Sequence, residues 1–298
     1  MSLYICNVMT NTSVKALIRL MEDPDEHVYA HVREQLSSIG KTAIPMLENS
    51  WEQEDYGLLF QKRVEDLIKD IQFDEVKMAL AEWIRSDEKD LLKGALIIAR
   101  YQYPNLDEEK ICSFVREIRD AIWLELSPFS TAYEKVKIIN KILFERFRFR
   151  GNKNNYHSPL NSYINTVFEL KTGNPLSLSI VYSVIAEQLK IPVYGVNLPN
   201  HFILAYMDEL NVNPLIGNEN IYGVLFYVDA FNAGRILREQ EIREFVGQMK
   251  LQPVRGYFEP CSNSGILQRM LTNLAFAYKQ LGKMEKVQEL QELEKMFR

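Results

Sequence analysis

At 298 residues, with 47% hydrophobic and 25% charged residues, the chain has the length of about two average domains and can bury substantial cores, which excludes a disordered or collagen-like polymer. Its 13 glycines and 11 prolines are few for this length, which disfavours a turn-rich all-β sandwich and predicts a helix-dominated protein. The balance of 35 Lys and Arg against 40 Asp and Glu, a net charge of −5, gives no general basis for gripping nucleic acid or an anionic membrane.

In chain order, Val14, Leu17, Ile18 and Met21, then Val28, Val32, Leu36 and Ile39, recur at helical spacing. Asp23, Pro24 and Asp25 start the second helix, Gly40 stops it, and IPMLENSW opens a third. VKMALAEWI and LLKGALIIARY read as a further antiparallel pair. Short units of this kind, each with an apolar face that a neighbour must cover, resemble a stack of HEAT-type repeats over residues 1–103. His27 and His31 share a helix face at i, i+4, but without an intervening glutamate or a third ligand they read as a solvated surface rather than a metal site.

Helical periodicity continues from Pro104 to Asn140. Residues 145–175, ERFRFRGNKNNYHSPLNSYINTVFELKTGNP, are rich in Asn, Gly, Pro and aromatic residues, which predicts turns held by polar side chains. Within them Arg146, Arg148, Arg150 and Lys153 interleave with Phe147, Phe149 and Tyr156. That pattern suits either base stacking or inward phenylalanines on an irregular edge, and the acidic whole favours the second. After Pro175, LSLSIVYSVIAEQLK is apolar around most of its circumference and reads as a buried helix. IPVYGVNLPNHFILAYM and VLFYVDAF read as strands of an antiparallel sheet in an α+β domain, and the last 34 residues return to two helices that turn at Gly282.

Three cysteines, Cys6, Cys112 and Cys261, stand far apart without a CxxC pair, so neither a disulfide framework nor a cysteine zinc site is indicated and a reducing compartment suits them. The opening MSLYICNVMT lacks the features of a signal peptide, and no run approaches the roughly 18 apolar residues of a membrane span. A cytoplasmic location is expected.

The strongest polar constellation is Asn200 and His201 at one strand start and Asp229 at the end of a later strand. A hairpin with its tip near Asn218 to Asn220 would bring His201 and Asp229 together across neighbouring strands. A carboxylate there fixes the imidazole tautomer, the orienting half of a nucleophile–His–Asp triad, although a structural hydrogen bond is the plainer alternative.

In order, FRFRGNKNNYHSPLNSYINTVFELKTGNPLSLSIVY, LPNHFILAY and FYVDAFNAG resemble the transglutaminase-like superfamily, and within it the bacterial Sir-B-type branch with tetratricopeptide-like C-terminal helices. The resemblance covers about residues 104–298. It implies a papain-like core in which His201 and Asp229 match the family's histidine and acid. It also implies a cysteine at the start of the helix on the sheet, where the helix dipole and the histidine lower its pKa. Here that helix begins Gly173, Asn174, Pro175, Leu176, Ser177, and no cysteine stands there. Ser177 beside a His–Asp pair is a conceivable nucleophile, but two residues of displacement rotate its side chain by about 200° from position 175. Nothing in the sequence places Cys261 near His201. Asn152, Tyr156, Asn161 and Ser162, with Asn200, could line a ligand cleft; capping helices and satisfying buried backbone is the favoured role for most of the first four, and Asn161 is the best exception, the leading ligand candidate.

These observations predict a predominantly helical α+β protein in three parts: a HEAT-like segment over 1–103, a transglutaminase-like domain over 104–257 and a tetratricopeptide-like hairpin over 258–298. The expected function is a catalytically impaired module that binds a peptide or protein partner without metal or cofactor. A Ser177–His201–Asp229 hydrolase or amidase is the alternative, and a purely structural His–Asp pair a further one.

Overall fold

The computed structural model describes residues 11–53, 56–209 and 221–298. The chain divides into two compact units, Met1–Ala79 and Leu80–Arg298, so the expected divisions at 103/104 and 257/258 both fall inside the second unit.

The first unit contains α1 (Asn11–Leu20), α2 (Glu26–Ile39), α3 (Ile44–Gln53) and most of α4 (Leu58–Arg85). Asp25 caps α2 by accepting the His27 N–H at 2.8 Å. The expected apolar faces close on one another: Val14, Ile18, Met21, Val32, Leu36 and Leu47 share a core with Phe60, Val64, Leu67 and Ile71 of α4. Arg63 is buried, yet it donates to the carbonyls of Met21 at 2.8 Å and Asp23 at 2.7 Å and pairs with Glu26 at 2.7 Å. Its charge is thereby compensated. Unlike the short units expected, α4 is a single helix of 28 residues, because no Gly or Pro interrupts positions 58–85. His27 and His31 are exposed, and no group of His, Cys, Asp and Glu among the described residues is arranged to hold a metal ion.

The second unit opens with α5 (Leu91–Arg100), α6 (Glu108–Trp123) and α7 (Ala132–Asn140). Then β1 (Arg150–Gly151) pairs in parallel with β2 (Thr172–Gly173), which lies between α8 (Ile164–Leu170) and α9 (Pro175–Gln188). The sheet follows in simple order, β3 (Val193–Leu198), β4 (His201–Met207), β5 (Val224–Asp229) and β6 (Arg235–Leu237), every neighbour antiparallel. α10 (Glu239–Gln248), α11 (Asn263–Gln280) and α12 (Met284–Lys295) complete it. No helix among the described residues is long and apolar enough to cross a membrane.

α9 is the centre of this unit. Residues 175–186 are all buried, against β3 and β4 and against α5, α6, α8 and α11, which explains why the sequence is apolar all round. Below the sheet, Val196, Leu198, Ile203, Ala205 and Tyr227 share a second core with Ile242, Val246 and Phe258. With both faces covered, Phe202–Tyr206 of β4 is buried without the alternation of a half-exposed strand. Pro199 and Asn200 turn β3 into β4, Asn200 taking a φ of 55° as the second corner of a type II turn requires. The expected hairpin tip at Asn218 to Asn220 lies outside the described residues.

The interleaved aromatic segment resolves with its phenylalanines inward: Phe149 is buried edge-on to Phe168, and Phe147 meets Phe114 edge-on. α11 packs on α5 and α9, and Tyr278 donates to Gln102 at 2.9 Å while its hydroxyl meets that of Tyr163 at 3.1 Å. The C-terminal hairpin is therefore integral to the second unit.

Candidate functional site

His201 is the first residue of β4 and Asp229 the last of β5. The register that sets Leu204 opposite Val228 carries both to the same end of the sheet, where imidazole Nε2 and carboxylate Oδ2 lie 3.0 Å apart. Asp229 also starts the tight turn Ala230–Asn232. Its Oδ1 accepts the N–H groups of Phe231 at 3.1 Å and Asn232 at 3.2 Å, and Oδ2 accepts the Asn232 amide at 2.8 Å. Burial alone would raise the Asp229 pKa, but the bonds from His201 and Asn232 outweigh it and hold the carboxyl below its ordinary range. An ionised acceptor requires the proton of neutral His201 on Nε2, leaving Nδ1 as an acceptor with no hydrogen bond among the described residues.

Phe231 and Phe245 flank the imidazole, with centroids at 6.4 and 5.9 Å. Phe231 is itself seated on Gly151, where a Cβ would stand 2.8 Å from the Phe231 carbonyl oxygen, so this approach admits only glycine. On the far side of the turn Gly234, at φ 71°, accepts the Asn140 side-chain amide N–H on its carbonyl oxygen at 2.7 Å.

His201 borders a cleft of about 380 Å³. Tyr156, His157, Ser158 and Ser162 form one wall, the helix start Asn174, Pro175 and Leu176 a second, Asn200 and Phe202 a third, and Arg269, Thr272, Asn273 and Phe276 of α11 a fourth. Pro175 thus shares the cleft with His201, at the position where the resemblance implies a nucleophile.

Ser177 does not. It is 1% exposed and absent from the cleft lining; its hydroxyl donates to the Asn161 carbonyl at 2.6 Å and accepts the Asn174 N–H at 3.0 Å. The Asn174 side chain accepts the Ser177 N–H at 2.9 Å, completing a reciprocal cap of α9. Ser177 is occupied in holding the helix start, and no hydrogen bond among the described residues links it to His201. The Cys261 N–H bonds Gly195, which pairs with Leu204, three residues along β4 from His201 and about 10 Å away at strand rise. Burial pushes the Cys261 thiol up to about 11, and burial also raises Cys112 on α6. Cys6 lies outside the described residues.

Asn161, the best ligand candidate in the sequence, is instead a structural hub. It is 2% exposed, donates to the carbonyls of Asn155 at 2.7 Å and Tyr156 at 3.0 Å, and accepts from Asn152 at 2.9 Å. Asn152 in turn accepts the Asn155 N–H at 3.1 Å. Both side chains satisfy a long connection, the alternative weighed for them, and neither lines the cleft. Tyr156 and Asn200 do line it.

Sequence reading missed the α11 wall. Arg269, Thr272, Asn273 and Phe276 follow i, i+3, i+4, i+7 spacing, a stripe visible in the sequence but hidden there by the expectation that these helices only pack. Arg269 donates to Asn273 at 3.3 Å and to Asn197 at 3.1 Å, and burial lowers its pKa.

Residues 108–272, more than half of the chain, match the family described as the transglutaminase-like superfamily. A UPF0162 protein of Xylella fastidiosa (strain 9a5c) is 34% identical over 194 residues, 63% of this chain and 64% of that protein. A UPF0162 protein of Haemophilus influenzae is 24% identical over 177 residues, 57% of this chain and 62% of the relative. F-box only protein 21 of Mus musculus is 32% identical over 155 residues, 52% of this chain but 23% of that longer protein. The chain thus spans just under two thirds of the length of the bacterial relatives it matches. No solved structure matches it at a significant level.

Proposed function

Because the chain belongs to the transglutaminase-like superfamily, we propose that it is a catalytically impaired member, a module that holds a peptide or protein partner in the cleft beside His201. The observation that carries this reading is Pro175 at the helix start facing the cleft, where a proline ring offers no atom to attack a carbonyl carbon. Acyl transfer would need that nucleophile to form a covalent acyl intermediate and expel an amine. What remains is recognition: His201, oriented by Asp229, presents Nδ1 as an acceptor for an N–H or O–H of a bound chain, between aromatic walls and side-chain amides. A stretch shared with an F-box only protein four times its length supports a portable binding module. The finer assignments belong to the same proposal: the Sir-B-type branch, the HEAT-like and tetratricopeptide-like flanks, and a cytoplasmic location.

The hydrolase alternative requires Ser177 to leave its cap and reach His201, and the bonds to Asn161 and Asn174 weigh against it. The test has two arms. Purified full chain is incubated with dimethylcasein and dansylcadaverine, and with a fluorophosphonate probe; the reading expects no amine incorporation and equal probe labelling of wild type and Ser177→Ala. Immobilised chain is then challenged with a random octapeptide pool, which wild type retains and a His201→Ala chain that remains folded retains several-fold less. Amine incorporation, or probe labelling lost in Ser177→Ala, would overturn the impaired reading. Loss of folding in His201→Ala would favour the structural one.

A further inference from the structure

We propose that Arg269 makes this cleft a receptor for a carboxylate on the bound peptide, an inference that rests on the cleft-binding reading above. A guanidinium has five N–H donors in a planar fork. Arg269 uses Nε on Asn273 and Nη1 on Asn197, both neutral amide oxygens, and Nη2 has no hydrogen-bond partner among the described residues. No ion pair forms at Arg269 among the described residues, although the side chain is partly buried. Of the described residues lining the cleft, Arg269 is the sole Lys or Arg, and none is Asp or Glu. A partly buried cation whose surroundings hold no counter-charge is stabilised when an anion arrives, and a charge-assisted, fork-shaped contact is the strongest hydrogen bond this cleft can make.

The rest of the cleft indicates which anion. The rest of the lining mixes apolar and aromatic side chains, Leu176, Phe202 and Phe276 among them, with amides, hydroxyls and the imidazoles of His157 and His201, a lining suited to apolar side chains and peptide groups. One guanidinium balances one carboxylate. A phosphate dianion would bring a second negative charge to a cleft without a second Lys or Arg, with the ionised Asp229 directly behind His201. The contacts to Asn197 on β3 and to Asn273 one turn along α11 hold the fork in place before a ligand enters, which lowers the entropic cost of binding.

The carboxylate has two possible sources, a peptide C-terminus or an Asp or Glu side chain. Three random octapeptide pools separate them on immobilised full-length chain: neutral peptides with a free C-terminus, the same peptides amidated, and amidated peptides carrying one Asp or Glu. Wild type is expected to retain an acidic pool about fivefold more than the neutral amidated pool, the free-terminus pool if the C-terminus is the source and the third pool if the side chain is. Arg269→Gln should reduce the preference to parity. Arg269→Lys, which keeps the charge, should retain part of it and guards against a folding artefact. Retention of all pools without preference, or an unchanged preference in a folded Arg269→Gln, overturns the inference and leaves the cleft-binding reading standing. Retention of no pool overturns that reading and the inference with it.

Discussion

The imidazole of His201 and the carboxylate of Asp229 meet at 3.0 Å although 28 positions separate them, because adjacent antiparallel strands deliver both to one end of the sheet. The carboxylate is then fixed from behind by Phe231 and Asn232, so the turn after β5 positions the carboxylate while the turn before β4 positions the imidazole. The imidazole lines the same cleft as a helix start that holds proline.

Asp229→Asn replaces an acceptor oxygen by an amide that must face either His201 or Asn232. We expect destabilisation of about 1–3 kcal/mol at pH 7, the cost of a spoiled buried network. The folded pKa of Asp229 is depressed, so its stabilisation is fully present above the unfolded carboxyl value near ~4 and is lost as pH falls through the folded value. The gap between wild type and variant should therefore narrow on acidification below about pH 4. Urea unfolding in steps from pH 7 to acid measures it, and a pH-independent gap would contradict an ionised carboxylate.

Asn161→Ala should act on the fold. The substitution removes three hydrogen bonds at a 2% exposed position and leaves the Asn155 and Tyr156 carbonyls without their donor, a cost of about 2–4 kcal/mol. Melting and peptide retention measured on one sample distinguish this from a ligand contact: a stable variant with lost retention would return Asn161 to the cleft.

Pro175→Cys places a thiol at the first turn of a 14-residue helix, facing the cleft that His201 borders. Its thiolate is favoured by the helix start, whereas burial holds the Cys261 thiol at about 11. At pH 7 iodoacetamide should alkylate the new thiol at least about tenfold faster than Cys261, read by peptide mass spectrometry, and His201→Ala in the same background should slow it. Equal rates would mean that position 175 is not where a nucleophile would sit.

Gly151→Ala drives a methyl group into the Phe231 ring and carbonyl, at 2.6 to 2.8 Å. Overpacking of this kind should cost about 1–3 kcal/mol and displace Phe231 from His201. Thermal unfolding together with the His201 proton chemical shifts checks both effects, and a silent substitution would show that the approach is not tight.

Periodicity and composition were enough to read the helix-rich α+β class, the central helix and the strands that carry His201 and Asp229, because those features depend on local spacing and on which side chains avoid water. The missing cysteine was equally legible, being a single residue at a recognisable helix start. The fates of the polar side chains were not. Asn161 is bonded within its own connection and to Ser177, 16 residues on, and Arg269 reaches Asn197 across 72 positions. A sequence states that an amide, a hydroxyl or a guanidinium needs a partner; only the packing of distant elements decides which part of the chain supplies it.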